Sequence, residues 1–230
     1  MNTIVLIPGY MCDKNMWLNQ LDILKKKYKI IIPKLDSGNS IEKFKKNTLS
    51  LLPERFSVIG FSMGGFVALN LAIEEPGRIK DLILIGTNAR SVSRDRKLLL
   101  KKSLSAFNNE NFISKFSSSS FHSYFAKHNT NNFEYLNLIK EMVKNLGLDC
   151  LKKQTQAILE RSSLINLLSK IKSRCLIISG DLDNLSTKEM NEELFNNIIN
   201  SELCYIKNSG HFVMMEEEKK FNEIIVNWLK

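Results

Sequence analysis

The pentapeptide Gly60-Phe61-Ser62-Met63-Gly64 constrains this chain more than any other feature. An apolar run from Phe56 to Ile59 leads into it, and a helix-capable run from Phe66 to Ala72 leaves it. Strand, Gly-x-Ser-x-Gly and helix in that order hold a serine at the apex of a sharp turn. The flanking glycines let strand and helix approach closely, and the serine is expected at a strained backbone angle with its hydroxyl pointing outward. The helix N-terminus beneath it favours developing negative charge. A serine alcohol is a poor nucleophile until a base takes its proton, so the motif predicts a histidine and a carboxylate elsewhere. A glycine-rich turn whose serine only caps the helix is the competing reading.

Five further apolar runs complete a pattern. They are Thr3–Ile7, Tyr28–Ile32, Leu82–Ile85, Cys175–Ser179 and Leu203–Ile206, with helix-like stretches between them. Strands without polar alternation imply burial on both faces, and strand–helix alternation implies a doubly wound, mostly parallel sheet of the α/β class. Helices are expected over 15–26, 41–52, 64–74, 186–197 and 216–229. Ser186 with Glu189 three residues later reads as a capping box for the fourth. The interval from Gly86 to Lys172 breaks the rhythm, having helical periodicity (Leu136, Ile139, Met142, Val143, Leu146) and no strand candidate. So long an excursion must fold as its own helical unit. The predicted organisation is a core of residues 1–90 and 171–230 with a helical cap inserted at 91–170.

The partners of Ser62 follow from this order. His211, in Ser209-Gly210-His211-Phe212, lies just after the final strand. In a parallel sheet the carboxyl ends of the strands share one edge, where ligands bind, so Ser62 and His211 fall on one rim. The acid should follow the strand ending at Ser179-Gly180, where Asp181 and Asp183 stand. Asp183 is favoured because the extra residues let a turn carry its carboxylate back toward the histidine, whereas Asp181 reads as a solvated turn residue. His122 and His128 fall in the helical excursion and read as surface positions.

At these residues the chain resembles the α/β-hydrolase superfamily over essentially its whole length. It looks closest to small carboxylesterase-like members that open with a Pro-Gly strand end followed by an Asp and a Trp. The stretches that carry the resemblance are LIPGYMCDKNMW, VIGFSMGG, QTQAILERSSL, LIISGDLD and NSGHF. It implies a Ser62–Asp183–His211 triad in the family's chain order, with the family's Gly-x-x-Asp falling on Gly180 and Asp183. It also implies an oxyanion hole from the backbone N–H groups of Tyr10 and Met63. The chain departs from the family in having Pro8-Gly9 where many relatives have His-Gly, and Arg174 where a proline often precedes the acid-bearing strand. It also starts at the family's third strand, which implies a six-stranded sheet without the N-terminal hairpin.

Composition bears on what the protein acts upon. A net charge of +9 invites a nucleic-acid reading, but the charge is mostly dispersed lysine and no basic run is interleaved with aromatics. A solvated surface is the better account, and no nucleic-acid partner is expected. Cys12, Cys150, Cys175 and Cys204 have no metal-like spacing and read as free thiols of a reducing compartment. No signal or membrane span is recognisable, so a cytoplasmic protein is expected. In the cap, Phe107, Phe112, Phe116, Phe121, Phe125 and Phe133 either pack the cap onto the core or line a pocket. Arg161 either anchors a substrate carboxylate or forms a helix-surface salt bridge.

The resulting expectation is a serine hydrolase that needs neither cofactor nor metal. It would cleave an ester or thioester of a small, apolar substrate through an acyl-enzyme. C–C bond hydrolysis, lactone opening and acyl transfer would use the same three residues. A non-catalytic small-molecule receptor is the rival from another class, and oligomeric state is not readable from the sequence.

Overall fold

The computed structural model describes residues 2–230. Its strands are β1 (Thr3–Ile7), β2 (Lys29–Ile31), β3 (Phe56–Phe61), β4 (Ile79–Ile85), β5 (Arg174–Gly180) and β6 (Ser201–Ile206). They pair in the order β2-β1-β3-β4-β5-β6, every pairing parallel. Burial follows that order. The inner strands β1 and β3 are buried end to end, whereas the edge strands β2 and β6 are mostly half-buried. This is why the inner strands read as continuous apolar runs.

The helices are α1 (Leu18–Leu24), α2 (Ile41–Leu49), α3 (Met63–Glu74), α4 (Arg94–Ser105), α5 (Phe112–Tyr124), α6 (Phe133–Glu160), α7 (Lys188–Asn197), α8 (Val213–Glu216) and α9 (Glu218–Trp228). Two apolar clusters cover the two sheet faces. One gathers Trp17, Phe61, Phe212 and Phe221, and the other gathers Val58, Phe66, Leu71 and Leu84. From β1 the chain turns outward to β2, then crosses back to β3 on the other side. The carboxyl ends of β1 and β3 therefore form the point where the winding reverses, the usual ligand position in an open parallel sheet.

Several local expectations need correction. The helix expected over 15–26 is a 3₁₀ turn, Lys14–Trp17, followed by the shorter α1. The helix expected over 216–229 is broken at Glu217, where ψ is 52°. Ser186 does not cap α7. Thr187 does so, accepting from the Met190 amide, while the Ser186 hydroxyl donates to the Thr87 carbonyl at 2.7 Å. The reason is tertiary: Ser186 is buried where the loop after β5 meets the loop after β4, and that acceptor takes its hydroxyl.

Between β4 and β5 the chain is helical, with α4, α5 and α6 and no strand among the described residues. α6 contains a break at Gly147, whose φ of 77° and ψ of 169° are not helical. Its second half returns to the core, where Gln154 accepts from the Met11 amide and donates to the Leu35 carbonyl, each at 2.8 Å. Phe112, Phe116, Phe121 and Phe125 are buried in the same cluster as Phe61 and Phe212. Phe133, by contrast, is 76% exposed.

Candidate active site

Ser62 is the residue between β3 and α3, with φ 51° and ψ −114°. A non-glycine residue at such angles stores on the order of 1–3 kcal/mol of strain, so its surroundings must enforce them. The Ser62 amide donates to the Ile85 carbonyl at 2.8 Å, and its carbonyl accepts from the Thr87 hydroxyl and the Phe66 amide. Gly64 makes the close approach possible: a Cβ there would lie 2.3 Å from the Ile7 carbonyl oxygen. No other residue fits at that position without moving β1.

His211 follows β6 in a loop held on both sides. Its amide donates to the Tyr124 carbonyl at 2.8 Å. Glu216 accepts from the Gly210 amide through one oxygen, and from the Ala126 amide and the Asn129 side chain through the other. One carboxylate therefore ties the histidine loop to the segment after α5. On the sheet side Gly86, at φ 51°, leaves room for the imidazole, since a Cβ there would sit 3.0 Å from His211 Nδ1.

The imidazole bridges the other two groups. His211 Nδ1 lies 2.8 Å from Asp183 Oδ2, and His211 Nε2 lies 3.0 Å from Ser62 Oγ. A carboxylate only accepts, so Nδ1 carries the proton, and Nε2 is left to accept from the Ser62 hydroxyl. Asp183 Oδ1 accepts from the Leu185 and Ser186 amides at 2.8 and 3.0 Å. Burial pushes its pKa up, but the electrostatic attraction of the His211 ring, the bond to it and the two amides outweigh it. The carboxyl is held below its ordinary 3.8. Its stabilising contribution is thus complete above about pH 4 and lost as pH falls through the lowered value.

Of the two aspartates, only Asp183 reaches the histidine. Asp181 is half-buried rather than solvated: its amide continues the pairing of β5 with β6 by donating to the Ile206 carbonyl, and its Oδ1 is buried without a partner. His122 and His128 are both exposed.

Tyr10 and Met63 line the same cavity as Ser62. The Met63 N–H opens α3 and is one of the amides a helix leaves without an internal acceptor. The Tyr10 amide has no backbone acceptor among the described residues. The Tyr10 side chain is anchored by Thr155. Its hydroxyl donates to Thr155 Oγ1 at 2.6 Å, because the Thr155 hydroxyl itself donates to the Leu151 carbonyl. Burial pushes the Tyr10 pKa up to about 12, so the phenol stays protonated.

These groups open on a cavity of about 570 Å³ roofed by α4 and α5. Phe107 and Phe116 reach it, but Ser119, Ser120 and Ser123 of α5 also line it, so the roof is not an apolar slot. Arg161 lines it too. Its Nη2 donates to Asn88 Oδ1 at 3.1 Å, and its guanidinium lies 4.5 Å from the centre of the Phe66 ring. The helix-surface salt bridge that the sequence allowed does not form: none of the ion pairs among the described residues involves Arg161. Burial lowers its pKa to about 10, leaving it charged at neutral pH.

Residues 38–218 match the alpha/beta hydrolase fold family, well over half of the chain. The chain belongs to that family. Over 95 residues it is 41% identical to the pimeloyl-[acyl-carrier protein] methyl ester esterase of Legionella pneumophila (strain Corby). That stretch is 39% of this chain and 40% of the Legionella protein, so the match spans less than half of either. Among solved structures, the enol-lactonase from Burkholderia xenovorans LB400 superposes with a TM-score of 0.88 at 20% identity, over 100% of this chain and 92% of that one. A thermophilic esterase from Thermogutta terrifontis superposes with a TM-score of 0.85 at 22% identity, over 100% and 89%. At these identities the structural likeness establishes the shared fold.

Sequence reasoning missed the supports of the site. Gln154 and Thr155 pin the loop after β1, Asn88 holds Arg161, and Glu216 ties down the histidine loop. Glu216 stands in a run of three glutamates with nothing local to single it out. Its spacing from His211 on a short helix is the one signal that could have found it.

Proposed function

We propose that this protein is a cofactor-free serine hydrolase that cleaves carboxylic esters. The observation that carries the reading is the continuous chain Ser62 Oγ–His211 Nε2 and His211 Nδ1–Asp183, built on a serine at φ 51°. His211 takes the Ser62 proton as Oγ attacks the ester carbonyl. The oxyanion is received by the Tyr10 and Met63 amides, donors of a kind worth roughly 3–4 kcal/mol to a transition state. His211 returns its proton to the leaving alcohol, and a water activated by the same imidazole frees the acid from Ser62. Asp183 holds the tautomer and stabilises the imidazolium throughout. An ester rather than another acyl bond is favoured by the Legionella relative, a methyl ester esterase that this chain matches over 95 residues.

The cytoplasmic location is part of this proposal. All four cysteines are free thiols, which suits a reducing compartment. Among the described residues no helix is long and apolar enough to cross a membrane.

Hydrolysis of p-nitrophenyl esters of increasing acyl length by wild type and Ser62→Ala tests the reaction class. We expect turnover in the wild type and a loss of at least about 10⁴-fold in the variant. Equal turnover by both proteins would overturn the assignment.

A further inference from the structure

We propose that the substrate of this site carries a free carboxylate, held by Arg161 while its ester is attacked by Ser62. The inference rests on the hydrolase reading and adds a substrate class to it, replacing the apolar substrate expected from the sequence.

The first observation is the charge of the cavity wall. Arg90, Arg96 and Arg161 line the cavity together with Ser62 and His211, and among the described residues no aspartate or glutamate does. Arg90 is neutralised outside the cavity by Glu189 and Glu193, at 2.7 and 2.8 Å. Arg96 is exposed at the edge. Arg161 is the inner one, and among the described residues it has no carboxylate partner.

The second observation is how Arg161 is held. Its Nε is buried with no hydrogen-bond partner. Its only polar contact among the described residues is Nη2 with the neutral Asn88 Oδ1. The Phe66 ring offsets part of the charge through a cation–π contact. Removing an ion from water is costly, and one neutral amide oxygen and one ring leave the guanidinium undercompensated. Asn88 and Phe66 fix its plane while leaving donors unspent. A planar fork with unspent donors matches a carboxylate, which it can bind through two parallel bonds. A phosphate fits the same fork, but with Arg90 committed and Arg96 exposed at the edge its second charge would meet no inner cation.

The location gives the anchor a purpose. Phe66 lies four residues beyond Ser62, about 6 Å along α3. Arg161, Ser62 and His211 line one cavity, so a substrate held there can meet the guanidinium and the nucleophile together.

The test compares monomethyl and dimethyl adipate, which differ by one charge. Calorimetric binding to Ser62→Ala and kcat/KM of wild type are both read, then repeated with Arg161→Gln and Arg161→Lys. We expect the half-ester to be preferred by about tenfold or more, the worth of a charge-assisted hydrogen bond. The preference should collapse in Arg161→Gln, return in part in Arg161→Lys, and shrink with added salt. A purely structural role for Arg161 would alter both esters together and leave the ratio unmoved, which would overturn the proposal. So would equal binding of the two esters by Ser62→Ala with Arg161 intact, a comparison needing no Arg161 variant. Displacement of the half-ester by inorganic phosphate at equal concentration would contradict the carboxylate assignment. If neither ester is hydrolysed and Ser62 resists a fluorophosphonate, the hydrolase reading fails, while the binding ratio still decides the anchor.

Discussion

The floor of the cavity and its roof are built on opposite terms. On the floor, Ser62, His211 and Asp183 sit on loops whose amides, carbonyls and glycines are bound or packed at nearly every position. In the roof, α4 has no buried residue, and Leu98 and Leu99 are 60% and 57% exposed. α5 faces the cavity with serines. A triad must hold its geometry to a few tenths of an ångström, whereas a roof must admit substrate and release product. In this molecule the floor is built from loops at the carboxyl ends of strands and the roof from helices, and the two differ in burial and in polar satisfaction as well.

The contrast can be broken at the floor first. Asp183→Asn should lower kcat by about 10³–10⁴-fold, because an amide that donates to Nδ1 forces the wrong imidazole tautomer. The same variant should lose little secondary structure by circular dichroism. A loss under tenfold would mean that Asp183 does not govern the histidine. Since the Asp183 carboxyl is held below 3.8, activity lost on acidification above about pH 4 must come from another group.

A paired stability measurement sharpens the comparison. Phe61→Ala empties a fully buried site beside His211 and Phe212 and should cost about 3–5 kcal/mol in denaturant unfolding. Glu216→Ala leaves the Gly210 and Ala126 amides without their acceptor and should cost about 1–3 kcal/mol, with a drop in kcat as the histidine loop loosens. Leu98→Ser on α4 should change stability by no more than about 0.5 kcal/mol. Comparable losses at Phe61 and Leu98 would erase the distinction between floor and roof.

The same divide sets what was legible in the sequence. The inner strands are buried on both faces, so their apolar runs announce them, and Thr3–Ile7 appears with the bounds the sequence suggests. Gly-x-Ser-x-Gly announces the turn at Ser62 because few other sequences fit between β1 and α3. Parallel topology then puts a histidine after β6 and an acid after β5 on one edge. Ser186 was misread because a local capping pattern says nothing of the buried Thr87 carbonyl that takes its hydroxyl. The partners of Asn88 and Gln154, and the Ala126 amide that Glu216 also holds, lie far along the chain, so nothing local marks those contacts. The state of Arg161 depends on which carboxylates fail to reach it, and no sequence pattern encodes that.

The central claim is that His211, itself held by Asp183, makes Ser62 a nucleophile. Intact-mass measurement after brief exposure to a fluorophosphonate tests it most directly in wild type, Ser62→Ala and His211→Ala. The account predicts a single adduct on the wild type, none on Ser62→Ala and strongly slowed labelling of His211→Ala. Equal labelling of all three proteins, or none of the wild type, would contradict it.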